Sequence, residues 1–270
     1  QLDHPRQIPM NFTPPAPAPS PLRTAWLMVV LLLPVALLNY LDRQLVATMQ
    51  KSIMGSVDDL KTQAQWGHLL AWFKWTYALA SPFAGYVADR FGRRHVIALS
   101  LFVWSADTWA TAHATSYDQL LATRAIMGLS EAFYIPAALA LIADHHGTAT
   151  RSRAVGLHQI GIYIGVMLGS LGGYVADDPA LGWRWAFTGL GLLGVAYALP
   201  LWWWLRDTPR DAATPPARPD VAVGELLGNR DFRLLLLYFT LPALAGWVVR
   251  DWMPSVLQKD LGLTQGLAGV

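Results

Sequence analysis

Gly85-Tyr86-Val87-Ala88-Asp89-Arg90-Phe91-Gly92-Arg93-Arg94 is the stretch on which the reading of this chain turns. It sets three arginines and a turn glycine between two apolar runs, one from about residue 67 and one from His95. Arginine is expensive in hydrocarbon, so the bases mark a tight loop where two membrane helices meet water. Gly92 suits the reversal, because glycine takes a positive φ without steric cost. Loops rich in Lys and Arg stay on the cytoplasmic side, which orients the pair.

Composition agrees with a membrane protein. Of 270 residues, 54% are hydrophobic and only 14% charged, with a mean hydropathy of +0.32. Soluble domains carry roughly 25% charged residues, so the chain is integral to the membrane, and its long apolar runs make the expected class all-α. The absence of cysteine excludes disulfides and thiolate metal sites. The net charge of +2 is small and the arginines are spread over loops, which leaves no basic face for nucleic acid.

Working outward from the loop, apolar runs occupy roughly 24–46, 67–88, 95–113, 118–142, 153–176, 183–205 and 232–255. Each has about the 20 residues needed to cross a bilayer. The first is too long for a signal-peptide core and lacks a cleavage site. Alternating sides puts Arg6, Arg23, Arg90, Arg93, Arg94, Arg151, Arg153, Arg206, Arg210, Arg218, Arg230 and Arg233 inside. Lys51, Lys61 and Lys259 fall outside with Arg184 at the outer edge, so the amino terminus is expected in the cytoplasm. The domain plan is a proline-rich disordered tail over 1–22, a six-helix bundle over 23–205, a polar linker over 206–230, and a seventh helix with the start of an eighth over 231–270.

Ionisable groups inside spans are the candidates for function. The first span carries Asn39-Tyr40-Leu41-Asp42-Arg43-Gln44 near its outer end. In the fourth, Arg124 and Glu131 lie seven residues apart, two turns on one helix face. Glu131 falls near mid-membrane among apolar neighbours, where a carboxylate needs a cation or water beside it. A group whose charge depends on its neighbour is what proton carriage requires. Lys74 lies on the face of Tyr77, Ser81 and Gly85 in the second span. Such a cation suits a multiply charged anion, or neutralises a carboxylate such as Glu131. His158-Gln159 form a polar pair in the fifth span, suited to sugar hydroxyls or to a structural role. Gly161, Gly165, Gly169 and Gly173 recur every four residues there, a spacing that lets helix backbones approach. His145-His146 are read as loop residues, not a metal site.

The loop resembles the G-x-x-x-D-R-x-G-R-R motif of the major facilitator superfamily at every defined position, through Gly85, Asp89, Arg90, Gly92, Arg93 and Arg94. That resemblance implies twelve helices in two similar halves with the substrate between them. This chain is then expected to be the amino-terminal six-helix half plus helix seven, cut short. NYLDRQ, with Arg124 and Glu131, resembles the anion:cation symporter group, which carries organic anions such as sugar acids. The stretches WFKWTYALASPFAGYVADRFGRR and WMPSVLQKDLGLTQGLAG resemble that group's second and seventh helices. By resemblance, Asp42 and Glu131 take part in proton coupling, Arg43 and Arg124 contact the substrate anion, and Tyr77 lines the pathway. Lys74, His158 and Gln159 join them as candidate substrate contacts, and the loop residues form the gating motif.

The reading is a monomeric, multi-pass plasma (inner) membrane symporter, not an enzyme. It has no cofactor or metal beyond a coupling proton, and its partners are a small anion and the lipid bilayer. The glycine stripe lacks the proline of the superfamily's antiporter motif, which favours symport. Two alternatives stand beside this. A spinster-like lipid or sphingoid transporter shares the NY-x-DR pattern. A membrane-embedded hydrolase would need G-x-S-x-G or H-E-x-x-H, and the sequence holds neither.

Overall fold

A computed structural model describes residues 22–208 and 219–270. The tail over 1–21 and the linker's central residues, 209–218, lie outside the described residues. Among the described residues the chain folds into helices: α1 (Leu22–Thr48), α2 (Gln50–Ser56), α3 (Gln63–Phe91), α4 (Arg93–Ala112), α5 (Tyr117–Glu131), α6 (Tyr134–His145), α7 (Thr148–Ser170), α8 (Gly172–Asp177), α9 (Gly182–Trp204), α10 (Pro219–Gly228), α11 (Arg230–Leu261) and α12 (Gln265–Gly269). The stretches 22–48, 117–145, 148–177, 182–204 and 230–261 are long and apolar enough to cross a membrane. The remaining two expected spans, α3 and α4, have the length but less apolar content. Lys74, Asp89 and Arg90 interrupt the first, and Arg93, Arg94 and Asp107 the second.

Local chemistry sets the boundaries. Thr62 and Gln65 form a capping box at the start of α3, satisfying two orphan N–H groups reciprocally. Gly92, at φ 87°, ends α3 and opens α4, as the sequence required. Two expected spans are broken. The fourth interrupts at Ala132 and Phe133 between α5 and α6. Pro136 explains it, having no N–H to donate and a ring that collides with the carbonyl of Ala132. The fifth breaks at Leu171, just before the Gly172-Gly173 pair.

Packing follows a repeat. α1 lies along α7, α3 along α5, and α4 along α9. Exchanging the first three long helices with the next three turns the first pair into the second and leaves the third unchanged. That is the pattern of nested three-helix repeats. The loop expected from the sequence is tied down at one end of the bundle. Arg93 pairs with Asp89 at 3.7 Å and with Asp144 of α6, and donates to the Ala140 carbonyl at 2.6 Å. Asp207 accepts the Arg94 backbone N–H at 2.9 Å, anchoring the start of α4.

The glycine stripe of α7 meets the backbone of α1. A methyl group on Gly161 would lie 3.0 Å from the Leu33 carbonyl oxygen, and one on Gly169 would lie 2.7 Å from that of Leu41. On Gly165 it would overlap the Leu37 carbonyl. Gly173 instead approaches the backbone of Gln265 and Gly266 at α12. Gly165→Ala is therefore expected to destabilise the protein by about 1–3 kcal/mol, the usual cost of overpacking. Gly156→Ala, on the same helix but facing open space, is the control. Thermal unfolding in detergent checks the pair, and equal melting temperatures would count against backbone contact.

Candidate functional site

The buried charges of α1, α4 and α5 converge on one polar cluster inside the bundle. Arg43 donates through Nε to Oε2 of Glu131 at 2.7 Å, and the Glu131 side chain is fully buried. The Arg43 guanidinium lies within 5.0 Å of the ring centroids of Tyr40 and Phe73 and 4.9 Å of that of Tyr77. Three aromatic faces around a cation supply the attraction that lost water no longer gives. Asn39, also fully buried, stands beside Glu131.

Arg124 is buried and donates through Nη2 to the Thr111 hydroxyl at 3.2 Å. Thr108 donates its hydroxyl to Oδ2 of Asp42. Neighbouring Asp107 is buried too, with Oδ2 lacking a hydrogen-bond partner. The cluster thus holds three carboxyl groups, Asp42, Asp107 and Glu131, against two guanidinium groups, Arg43 and Arg124. Such a group is uncompensated unless water, a proton or a further cation enters.

A cavity opens beside the cluster, between the bundle and α11. It encloses about 640 Å³ of empty space, its open mouth included, and Arg43, Arg124, Lys74, Arg250, Asp251 and Trp247 line it with apolar residues of α1, α3 and α5. Lys74 pairs with Asp251 of α11, and its ammonium lies 5.6 Å from the centre of the Trp247 ring.

These contacts correct part of the sequence-based expectation. Glu131 is bonded to Arg43, on another helix, and Arg124 turns to Thr111. Lys74 does not neutralise Glu131, because Asp251 holds it. Tyr77 faces Arg43 from α3. His158 is fully buried, its Nε2 2.9 Å from the Tyr134 hydroxyl, which also bonds the Leu32 carbonyl. Gln159 is exposed. Neither residue of that pair is among those lining the cavity beside α11. His145 and His146 are buried at the end of α6 rather than lying in an open loop. No metal-holding group of His, Cys, Asp and Glu occurs among the described residues.

Sequence reasoning missed Asp107, Trp247, Arg250 and Asp251. The signal was present for the charged three, since each interrupts an apolar helical run as Glu131 does.

A family model described as Major Facilitator Superfamily matches residues 32–270. The chain is 31% identical over 253 residues to Protein spinster homolog 1 of Homo sapiens, covering 89% of this chain and 47% of that protein. It is 28% identical over 263 residues to the Hexuronate transporter of Escherichia coli (strain K12), covering 88% of this chain and 58% of that one. Among solved structures, a bacterial homolog to the human lysosomal transporter Spinster, in an inward-facing and unoccupied conformation, matches with a TM-score of 0.78 at 24% identity. That match covers 93% of this chain and 59% of the other. The chain spans about half the length of the curated relatives it matches. The arginine loop, the paired three-helix packing and a family match over nearly the whole chain agree: this chain belongs to the Major Facilitator Superfamily.

Proposed function

We propose that this chain carries the anion site of a proton-coupled symporter for a small organic anion of the sugar-acid class. The observation that supports it is the cavity lined by Arg43, Lys74, Arg124 and Arg250, a density of cationic side chains suited to an anionic substrate. The similarity to the Hexuronate transporter points the same way. Arg43 and Arg124 receive the substrate, and Asp42 and Glu131 handle the proton. The Asp89–Arg93–Asp144 contacts hold one end of the bundle closed as part of the gating loop. Two halves rocking about the cavity expose it to each side in turn. The arginine-rich end faces the cytoplasm with the amino terminus, in the plasma (inner) membrane. The convergence of cations on one cavity favours transport over hydrolysis.

Proteoliposomes holding the whole carrier test this with labelled hexuronates, hexonates and neutral sugars. Acid outside is expected to drive hexuronate accumulation, and a protonophore to collapse it. Accumulation of neutral sugars, or indifference to the proton gradient, would overturn the reading. The similarity to Protein spinster homolog 1 favours a second reading, transport of a lipid or sphingoid substrate. Uptake of labelled sphingoid base without hexuronate uptake would select it.

Arg124→Ala is expected to lower anion affinity by at least about tenfold, and Arg124→Lys by less. Guanidinium holds a carboxylate with two parallel hydrogen bonds, and ammonium keeps the charge but not the fork. Calorimetric titration of both variants checks the order. Unchanged affinity in the alanine variant would leave Arg124 a structural role through Thr111.

A further inference from the structure

The cavity presents two separate sets of cations. Arg43 and Arg124 belong to the buried cluster of α1 and α5, whereas Lys74 on α3 and Arg250 on α11 line the same cavity from other helices. The second set is the informative one. Lys74 already holds a carboxylate, that of Asp251, over the face of Trp247. The Lys74 and Asp251 side chains are 32% and 17% exposed, so the pair sits at the wetter rim and an entering solute can reach it. Arg250, the neighbour of Asp251, lines the same cavity and has no ion-pair partner among the described residues.

A protein carboxylate on Lys74 shows which chemistry the position accommodates. A substrate carboxylate arriving there replaces like with like, so the ammonium is never left bare, and Asp251 is released toward water. Exchange of one anion for another costs less than opening a buried charge. A substrate with a single acid fills the Arg43–Arg124 set and leaves Asp251 in place. Only a second acid, at the far end of the molecule, makes use of Lys74 and Arg250.

Resting on the organic-anion reading above, we propose that Lys74 and Arg250 form a second anion subsite, that Asp251 occupies it in the empty carrier, and that the preferred substrate is a sugar diacid. The two acids bridge the bundle to α11, so the diacid links the two sides of the cavity as it displaces their own ion pair. Lys74, Arg250 and Asp251 are then the specificity-determining residues that separate diacids from monoacids.

D-gluconate and D-glucarate share an open six-carbon chain and differ in one end group, carboxylate in glucarate and hydroxymethyl in gluconate. Calorimetric titration of the whole carrier with each is expected to show glucarate binding at least about tenfold tighter, the worth of one added charge-assisted contact. The glucarate-to-gluconate ratio is expected to fall to about one in Lys74→Ala and in Arg250→Gln. Asp251→Asn, which removes the internal competitor, is expected to tighten glucarate binding. Lys74→Ala leaves Asp251 unpaired, so the double variant Lys74→Ala/Asp251→Asn is measured as well and must also show a ratio near one. Equal affinities in the unmodified carrier, or a preference for glucarate that survives both Lys74 variants, would overturn the subsite while leaving the organic-anion reading intact. Binding of neither acid would overturn that reading and the subsite with it.

Discussion

Glu131→Gln is expected to abolish accumulation driven by a pH gradient in the whole carrier, while exchange of substrate across the membrane continues. Glu131 is fully buried and its bond to a cation is the one from Arg43. A substrate anion that claims Arg43 takes that partner away. A lone buried carboxylate is costly, so under the proposed function it gains a proton as the anion binds, and the two would cross together. Glutamine keeps the shape and one acceptor oxygen but has no proton to gain. Counterflow, which needs no gradient, should therefore survive, and uphill uptake should fall to the background of empty vesicles. Measuring both on the same vesicles separates the outcomes. Persistent uphill uptake would move the coupling role to Asp42 or Asp107.

Arg43→Ala is expected to be the most damaging single change to stability, at about 3–5 kcal/mol. The loss has two parts. Glu131 loses its cation, so the fold bears the cost of an unpaired buried carboxylate or of the proton it must take up, and the three rings of Tyr40, Phe73 and Tyr77 lose the cation they surround. Adding Glu131→Gln to Arg43→Ala removes that carboxylate, so the double variant should melt above the single one. Thermal unfolding of the two variants and the parent protein decides it. A double variant no more stable than Arg43→Ala would mean that the pair contributes through packing rather than through charge.

How much of this was legible in the sequence depends on distance along the chain. The loop at Gly92 and the depth of Glu131 and Arg124 follow from local patterns, because hydropathy and charge placement act over one span at a time. Partner choice does not. The Arg43–Glu131 bond joins residues 88 apart and the Lys74–Asp251 pair residues 177 apart. Which cation meets which acid depends on how each helix is rotated, and no spacing within one span encodes that rotation. Arg124 and Glu131 share a face as expected, yet a face two turns long can serve two partners. Pro136 could have been read as a break, and Asp107 as a buried acid, by rules already applied elsewhere in the chain. Arg250 and Asp251 stand near the end of the expected seventh span, just before the stretch that resembles helix seven, and interrupt its apolar run as Glu131 interrupts the fourth.

The facing backbones of α1 and α7 have a mechanical consequence. Where large side chains separate two helices, rotamer changes absorb small displacements, much as a soft gasket does. At Gly161, Gly165 and Gly169 no such gasket exists, and peptide groups of one helix bear directly on the other. The two helices consequently share one bending stiffness, like planks bolted into a single beam. Arg43 is fixed to that beam two residues beyond Leu41, the last bolt. Pulling on its guanidinium therefore loads α7 as well as α1, and a force applied at the cavity reaches the far end of the bundle without first being spent on repacking.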